Sequence, residues 1–439
     1  MNFIKERLDK LQFSPKKLTE YLLVVGSATT IYLFVGLRGI LYEPFRMQLG
    51  STNAQLGILM SVSGFIQIFG YLLFGWVQER MNVRKLLTFD MLGYGLTGMF
   101  IAFSKGLSFP VAIMCFVLFG IFGDAMYWPT IQKSVKYIGG KTAQARAFGT
   151  MESLRAIGGF IVNSLDVILY SALTGISGMI WGIKGAMIFN SGITLLFALL
   201  IWFKMPKDFM QEKTNDVPSS ANKTKIGIKG VVKALKLPVV WLTGLSAACA
   251  YVSYVGVSTY FVPYLQNTFS MSASLVAIFG IVNGTAVNAL SAFLSGLISD
   301  KLFKNSAVWM SICYLLMSIF IFVTLMIPKR KSLVIIAMIF LLLTTLSCFL
   351  IRAVYYSPIG EYGVPTDISS TAMSIASFVG YSPSFFAYPI FGNIIDSNNS
   401  VTAYNIIFTV LIVFSILGII INLFNSKVIS RKKDIKSFN

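Results

Sequence analysis

The sequence predicts an all-α membrane protein, with twelve transmembrane helices in two pseudo-symmetric six-helix bundles. Three observations carry this reading. Of the 439 residues, 56% are hydrophobic and only 12% are charged, about half the charged fraction of an ordinary soluble domain. Apolar runs of about 20 residues, the length that crosses a bilayer as a helix, recur from end to end. The first half of the chain also echoes the second.

Each span follows from the length rule. The apolar runs fall at 18–44, 54–77, 85–104, 108–132, 145–172 and 179–203, then at 237–265, 272–298, 306–327, 332–356, 367–394 and 401–425. The stretch KMPKDFMQEKTNDVPSSANKTKIGIKG (204–230) is rich in Lys, Ser, Pro and Asn and reads as a linker. The expected organisation is a charged N-terminal segment (1–17), a first bundle (18–203), a linker (204–236), a second bundle (237–425) and a basic tail (426–439). Most of the 36 Lys and Arg fall between spans on the side of the N-terminus. Cytoplasmic loops carry such an excess, so both termini and the linker are expected in the cytoplasm, with the chain multi-pass in the plasma or inner membrane. Lys329-Arg330-Lys331 falls on the opposite side and runs against the bias.

The internal repeat rests on several weak matches in the same order. VG at 35–36 recurs at 255–256, and Pro44 as Pro263. STNAQLG (51–57) aligns with SMSASLV (270–276), and GWVQERMNVRK (75–85) with GLISDKLFKNS (296–306). TMESLRAIGG (150–159) aligns with AMSIASFVGY (372–381), which pairs Gly158 with Gly380. Duplicated helical halves are a transporter design, with the solute bound near the midplane.

Several function classes are excluded. The net charge of +19 comes from residues between apolar runs, with no folded basic domain to hold nucleic acid. The four cysteines (115, 249, 313 and 348) lie inside apolar runs without CxxC spacing and point to neither a metal site nor a disulfide framework. GYGLTG (93–98) matches a dinucleotide-loop pattern, but it sits inside a span with no strand before it and reads as helix-packing glycine. No nucleophile motif or phosphate loop appears, so an enzyme is not expected, nor a cofactor. The expected partners are a small-molecule substrate, protons and the lipid bilayer, with the chain acting as a monomer.

The loop after the second span has a pattern: Gly75, three residues, then Glu79, Arg80, Arg84 and Lys85. After the eighth span it recurs as Gly296, Asp300, Lys301 and Lys304. This resembles the loop motif of the major facilitator superfamily in both its positions, and with the twelve spans the resemblance covers nearly the whole chain. It implies a cytoplasmic gate in which the acid pairs with bases and a helix end. An exposed ion pair of about 0–1 kcal/mol is weak enough to open during a transport cycle. YWP (127–129) and AYVSYVGVSTYFVPYL (250–265) are similar to stretches of the organophosphate:phosphate antiporter branch. That branch grips phosphate with an Arg in helix 1 and another in helix 7. Here the matching positions are Gly36 and either Tyr254 or Val255, so the paired clamp does not carry over. Arg38 lies two residues past the first position, about 200° around a regular helix. Helices 10 and 11 look more like an uncharacterised offshoot of that branch, one of sugar or sugar-phosphate carrier type.

The charges inside the spans are the candidate site. A charge at the bilayer centre costs about 2.5–3.5 kcal/mol even on permissive scales, so it must find partners. Glu152 and Arg155 are three apart on one helix face. Counting residues from the cytoplasmic ends of their spans puts Asp124 at comparable depth, so a cluster of Asp124, Glu152 and Arg155 is expected in the first half. In the second half, Glu152 and Arg155 align with Ser374 and Ser377, and matching YWP to YSP sets Arg352 beside the place of Asp124. A guanidinium without an acid attracts an anion or a hydroxyl-rich solute. The chain has no histidine, so a coupled proton must ride on a desolvated carboxylate, with Asp124 and Glu152 the candidates. Glu43, Glu361 and Asp367 lie near span ends and read as interfacial. Trp128, Tyr254, Tyr260 and Tyr355 are expected to line the cavity, since rings with a polar tip suit sugar faces. The reading is a secondary transporter for a small polar organic solute, anionic or sugar-derived. Export of amphipathic cations and a non-transporting sensor are the alternatives.

Overall fold

Helix starts are written into the sequence. Ser14 accepts a hydrogen bond from the Lys17 backbone N–H and Pro15 occupies the first turn, opening α1 (Pro15–Thr30). Such a residue satisfies one of the orphan donors of a helix end. The computed structural model describes residues 13–210, 230–298 and 305–437. Within these, the side chains of 71–80 and 140–146 are among those left undescribed. Most of the expected linker, at 211–229, lies outside the described residues.

After α1 and short turns come α2 (Asn53–Arg80), α3 (Val83–Phe103) and α4 (Phe109–Phe119). A π-helical segment, Gly120–Tyr127, leads into α5 (Trp128–Ser177), and α6 (Met179–Lys204) follows. The second half has α7 (Pro238–Val255), a π segment (Gly256–Tyr260) and α8 (Phe261–Phe269). Next come α9 (Ala273–Ile281), a third π segment (Val282–Ala286) and α10 (Val287–Ile298). Then follow α11 (Ser306–Met326), α12 (Val334–Val354), α13 (Ser357–Glu361), α14 (Thr366–Tyr381), α15 (Ala387–Ser397) and α16 (Ser400–Ser437). Ten of the expected spans are long and apolar enough to cross a membrane on their described residues alone. The remaining two correspond to α2 and to the pair α14 and α15. The architecture is all-α, with twelve helical spans.

Two of the three π segments have a covalent cause, since they end just ahead of a proline, Pro129 and Pro263. Proline lacks an N–H and collides with the carbonyl four residues back, and widening the ladder relieves this. A further proline, Pro358, falls in the first turn of α13, just after the break that separates it from α12. Two helices differ from the span pattern. The first span is interrupted after Thr30 and tightens to a 3-10 turn at Leu37–Gly39. The helical path of α5 continues through the loop expected between the fourth and fifth spans. The chain nevertheless reverses there, because Tyr127 and Arg155 both meet the turn of α1 at 27–28.

The described chain groups into two compact units. One is Met1–Glu212 together with Met271–Ala286, and the other is Lys213–Ser270 together with Val287–Asn439. The segment 271–286, expected in the second bundle, therefore groups with the first unit. There α9 lies along α5, with Ser171 and Ser274 hydroxyls 2.9 Å apart. In the first unit α3 packs along α6, and α1 along α5. In the second unit α7 packs on α14 and α16, and α11 on α12 and α16.

The repeat is visible in the packing. A Cβ added at Gly158 of α5 would lie 2.7 Å from Thr29 Cγ2 of α1. A Cβ added at Gly380 of α14 would lie 2.8 Å from the Ala247 Cβ of α7. The two glycines that align across the repeat thus let equivalent helix pairs approach closely, as small residues do in membranes.

One cation of the basic triplet that runs against the charge bias, Lys329, has a local explanation. Lys329 Nζ donates to the Thr324 carbonyl at 3.0 Å, the Leu325 carbonyl at 3.4 Å and the Tyr264 hydroxyl at 3.1 Å. It closes the C-terminal end of α11, where orphan carbonyls and the helix dipole favour a cation.

Candidate functional site

The first unit gathers its charges around the π segment. Within it, the Trp128 backbone N–H reaches back five residues to the Gly123 carbonyl, and the Tyr32 hydroxyl also donates to that oxygen at 2.8 Å. Asp124 follows, half-buried. Arg38, on the 3-10 turn of the first span, lies close enough to act electrostatically on Asp124 and on Tyr94. The 200° argument for turning Arg38 elsewhere assumes an unbroken helix. The interruption after Thr30 breaks that phase.

Arg155 occupies a neighbouring position. Its Nη1 donates to both Glu152 oxygens, at 3.0 and 3.1 Å, and its Nε donates to the Ala28 carbonyl at 3.2 Å. Its guanidinium lies over the Trp128 ring, 4.7 Å from the centroid, a contact worth about 0.5–2 kcal/mol. The Trp128 ring in turn meets Tyr32 edge-on. The expected pair of Glu152 and Arg155 is present, but the expected three-membered cluster is not. Arg155 donates to Glu152 and a backbone carbonyl, while Asp124 belongs with Arg38. Glu152 is also 58% exposed, so it is less desolvated than a deep carboxylate.

The second unit holds a different arrangement. The Arg352 guanidinium stacks 3.7 Å from the centroid of the Tyr254 ring and 5.6 Å from that of Phe349. Its electrostatic neighbours are Tyr254, Tyr355, Cys348 and Tyr251. Among the described residues no carboxylate pairs with it, and its Nε has no hydrogen-bond partner. Tyr355 and Tyr381 join hydroxyl to hydroxyl at 2.9 Å, and Tyr251 meets Tyr381 edge-on. Only the fold groups Tyr254 with Arg352, since α7 brings one and α12 the other. Ser374 is exposed and Ser377 half-buried on α14. Tyr260 departs from expectation. It is 1% exposed and donates to the Tyr388 carbonyl at 3.0 Å, with its ring edge-on to Phe391. It is a core residue that fastens the π segment to α15.

The loop motif is partly visible. Gly75, Glu79 and Arg80 lie on α2 and Gly296 on α10, but their side chains lie outside the described residues, as do Asp300 and Lys301 altogether. Arg84 is described. Its Nη1 donates to the Trp202 carbonyl at 3.2 Å and its guanidinium lies 4.8 Å from the centroid of the Trp202 ring, so it sits on the last turn of α6. Asn82 caps α3 and Asn305 caps α11, each accepting two backbone N–H groups. The Glu361 carboxylate accepts the Ser306 N–H at 3.0 and 3.2 Å, so this span-end acid is a helix cap.

Two intramembrane acids escape the sequence reading. Asp90 on α3 and Asp166 on α5 are both 0% exposed. Neither Asp90 oxygen has a hydrogen-bond partner among the described residues, while Asp166 Oδ2 accepts from Asn190 Nδ2 of α6 at 3.0 Å. Their signal was present, since any acid inside a span is a candidate site. Neither lies beside a motif that drew attention.

The comparisons with known proteins fit this picture. The chain is 28% identical over 424 residues to the inner membrane protein YihN of Escherichia coli (strain K12), covering 95% of this chain and 97% of that one. It is 25% identical to the inner membrane protein YqcE of the same organism, over 84% and 85% of the two chains. Among solved structures, a bacterial homologue of the human lysosomal transporter Spinster shares the fold with a TM-score of 0.73 at 15% identity, over 95% of this chain and 98% of that one. The family model described as Major Facilitator Superfamily matches residues 21–388. Twelve helical spans in a duplicated chain, charged residues within them, and a match over most of its length place this protein in the Major Facilitator Superfamily of membrane transporters.

Proposed function

We propose that this chain is a secondary active transporter for a small organic anion or a sugar-derived solute. Arg352 carries the reading. It is a deep guanidinium with no carboxylate beside it among the described residues, ringed by tyrosines. A fixed fork of donors recognises carboxylate or phosphate, and tyrosine rings with hydroxyl tips suit hydroxyl-rich solutes. In the first unit, Asp124 beside Arg38 is the favoured carrier of a coupled proton over Glu152, which is more exposed and already paired. Arg155 on Trp128 is the second solute-binding candidate. The bundles at 18–203 and 237–425 would exchange access to the two sides, with the loop motifs as the cytoplasmic gate. The names of the two relatives support an inner-membrane location, and the charge bias supports cytoplasmic termini.

The test is thermal stabilisation of the purified full-length protein by a panel of sugar phosphates, sugar acids, neutral sugars, carboxylates and lipophilic cations. Wild type is run beside Arg352→Gln and Arg155→Gln. Stabilisation by an anion or sugar that falls at least about tenfold in apparent affinity in Arg352→Gln is expected, since a charge-assisted hydrogen bond is worth about 1.5–3 kcal/mol. Stabilisation by lipophilic cations alone, kept in both variants, would sink the polar-solute reading and favour export of amphipathic cations.

A further inference from the structure

Asp166 and Asn190 lie on either side of the turn at Gly178, each about twelve residues from it. An antiparallel helix pair brings such positions to one level, about 18 Å from the turn at 1.5 Å per residue. Both side chains are buried, at 0% and 1% exposure. One hydrogen bond joins them, from Asn190 Nδ2 to Asp166 Oδ2. That leaves Asp166 Oδ1 and Asn190 Oδ1, and both are buried without a partner among the described residues.

The inventory of donors decides what fills this gap. An ionised carboxylate and an amide oxygen are acceptors only. Two unpaired acceptors and a net charge are strongly disfavoured in an apolar interior. One proton on Asp166 Oδ1 removes both defects. The new O–H donates to Asn190 Oδ1, and acid and amide close a ring with two hydrogen bonds and no net charge. We propose that Asp166 and Asn190 form a proton-binding site within the first unit, separate from the Asp124 position, in which the bound proton bridges α5 to α6.

Among the described residues no other charge competes for this carboxyl. On α5 itself the titratable neighbours along the helix are Glu152, Arg155 and Tyr170. From α6 come Lys184, whose ammonium lies 5.5 Å from the centroid of the Trp181 ring, and Lys204 at the far end. From α1 come Lys16, Lys17, Glu20 and Tyr21, and from the first π segment Asp124 and Tyr127. Residues 33–36 and 273–286 bring none. Of all these, none acts on Asp166, which among the described residues interacts with Asn190.

Infrared difference spectroscopy on the full-length protein in lipid tests this without a substrate. The protein is titrated between about pH 5 and about pH 9, which spans the usual range of perturbed carboxyls. The expected result is a protonated-carboxyl C=O band at neutral pH that is lost in Asp166→Asn. That variant keeps the ring as an amide pair and should fold. In Asn190→Ala the same band should move to higher frequency, because the acid carbonyl loses its donor. This arm stands even if the first variant is unstable. Loss of a carboxylate band instead of a C=O band in Asp166→Asn would overturn the proposal. So would a C=O band unmoved in Asn190→Ala, or thermal stabilisation by sodium over choline that Asp166→Asn abolishes, which would make the ligand a metal cation.

Discussion

At the residue scale, burial decides what a charge does. Arg155, Arg352 and Lys329 are all cations set on aromatic rings. Arg155 spends its donors on Glu152 and a carbonyl, Lys329 on a helix end, and Arg352 keeps a donor unused. Lys329 therefore reads as structural, and its substitution has a defined consequence. Lys329→Met should lower stability by about 1 kcal/mol, the net worth of a helix-end hydrogen bond. Burial also holds the Lys329 ammonium below the usual lysine range. The unfolded chain thus binds this proton more readily than the folded one. The cost of charging it is fully present below the folded pKa and fades as pH rises towards about 10.4, the unfolded value. Stability at this site accordingly increases with alkalinity. Thermal unfolding of wild type and Lys329→Met, compared from about pH 7 to about pH 10, should show the gap widening. A gap that narrows with pH would contradict the sign.

At the scale of elements, the sequence was most informative where periodicity and covalent chemistry agree. The span count, the kinks before Pro129 and Pro263 and the Gly158–Gly380 correspondence were all legible, because apolar length, a missing N–H and a missing Cβ act locally. The partners were not. Arg38 meets Asp124 only because the first span breaks after Thr30, and nothing in a smooth apolar run marks that break. Tyr260 and Tyr254 look alike in AYVSYVGVSTYFVPYL, yet the π segment between them puts one in the core and the other on Arg352. Asp166 needs Asn190 from the next helix to become meaningful. The glycine correspondence also makes a prediction. Gly158→Leu and Gly380→Leu should each destabilise by about 1–3 kcal/mol, the usual range for overpacking a close contact. Gly149→Ala, where a Cβ would meet nothing within 4 Å, should be neutral or gain up to about 1 kcal/mol in helix propensity. If the three variants unfold alike, the close approaches at α1–α5 and α7–α14 carry no weight.

At the scale of the whole molecule, the proposed orientation rests on charge counting, and the capping role of Lys329 accounts for one of the three cations in the loop that argues against it. A cation bound to the end of its own helix has a reason to be there that owes nothing to insertion. The remaining Lys and Arg then favour the N-terminal side, which the positive-inside rule makes cytoplasmic. The four native cysteines are all buried, so an added cysteine can report on sidedness with little background. Ser397 precedes the last span and Lys207 follows the sixth, and both are exposed. With the N-terminus inside, Ser397→Cys should react with a membrane-impermeant maleimide in intact cells. Lys207→Cys should react only after the membrane is opened. The opposite pattern would place the termini outside, and it would turn the loop motifs at 75–85 and 296–306 to the external face, where they could not form a cytoplasmic gate. Labelling of both from outside would mean that an even number of spans separates the two positions, contradicting the five counted between them.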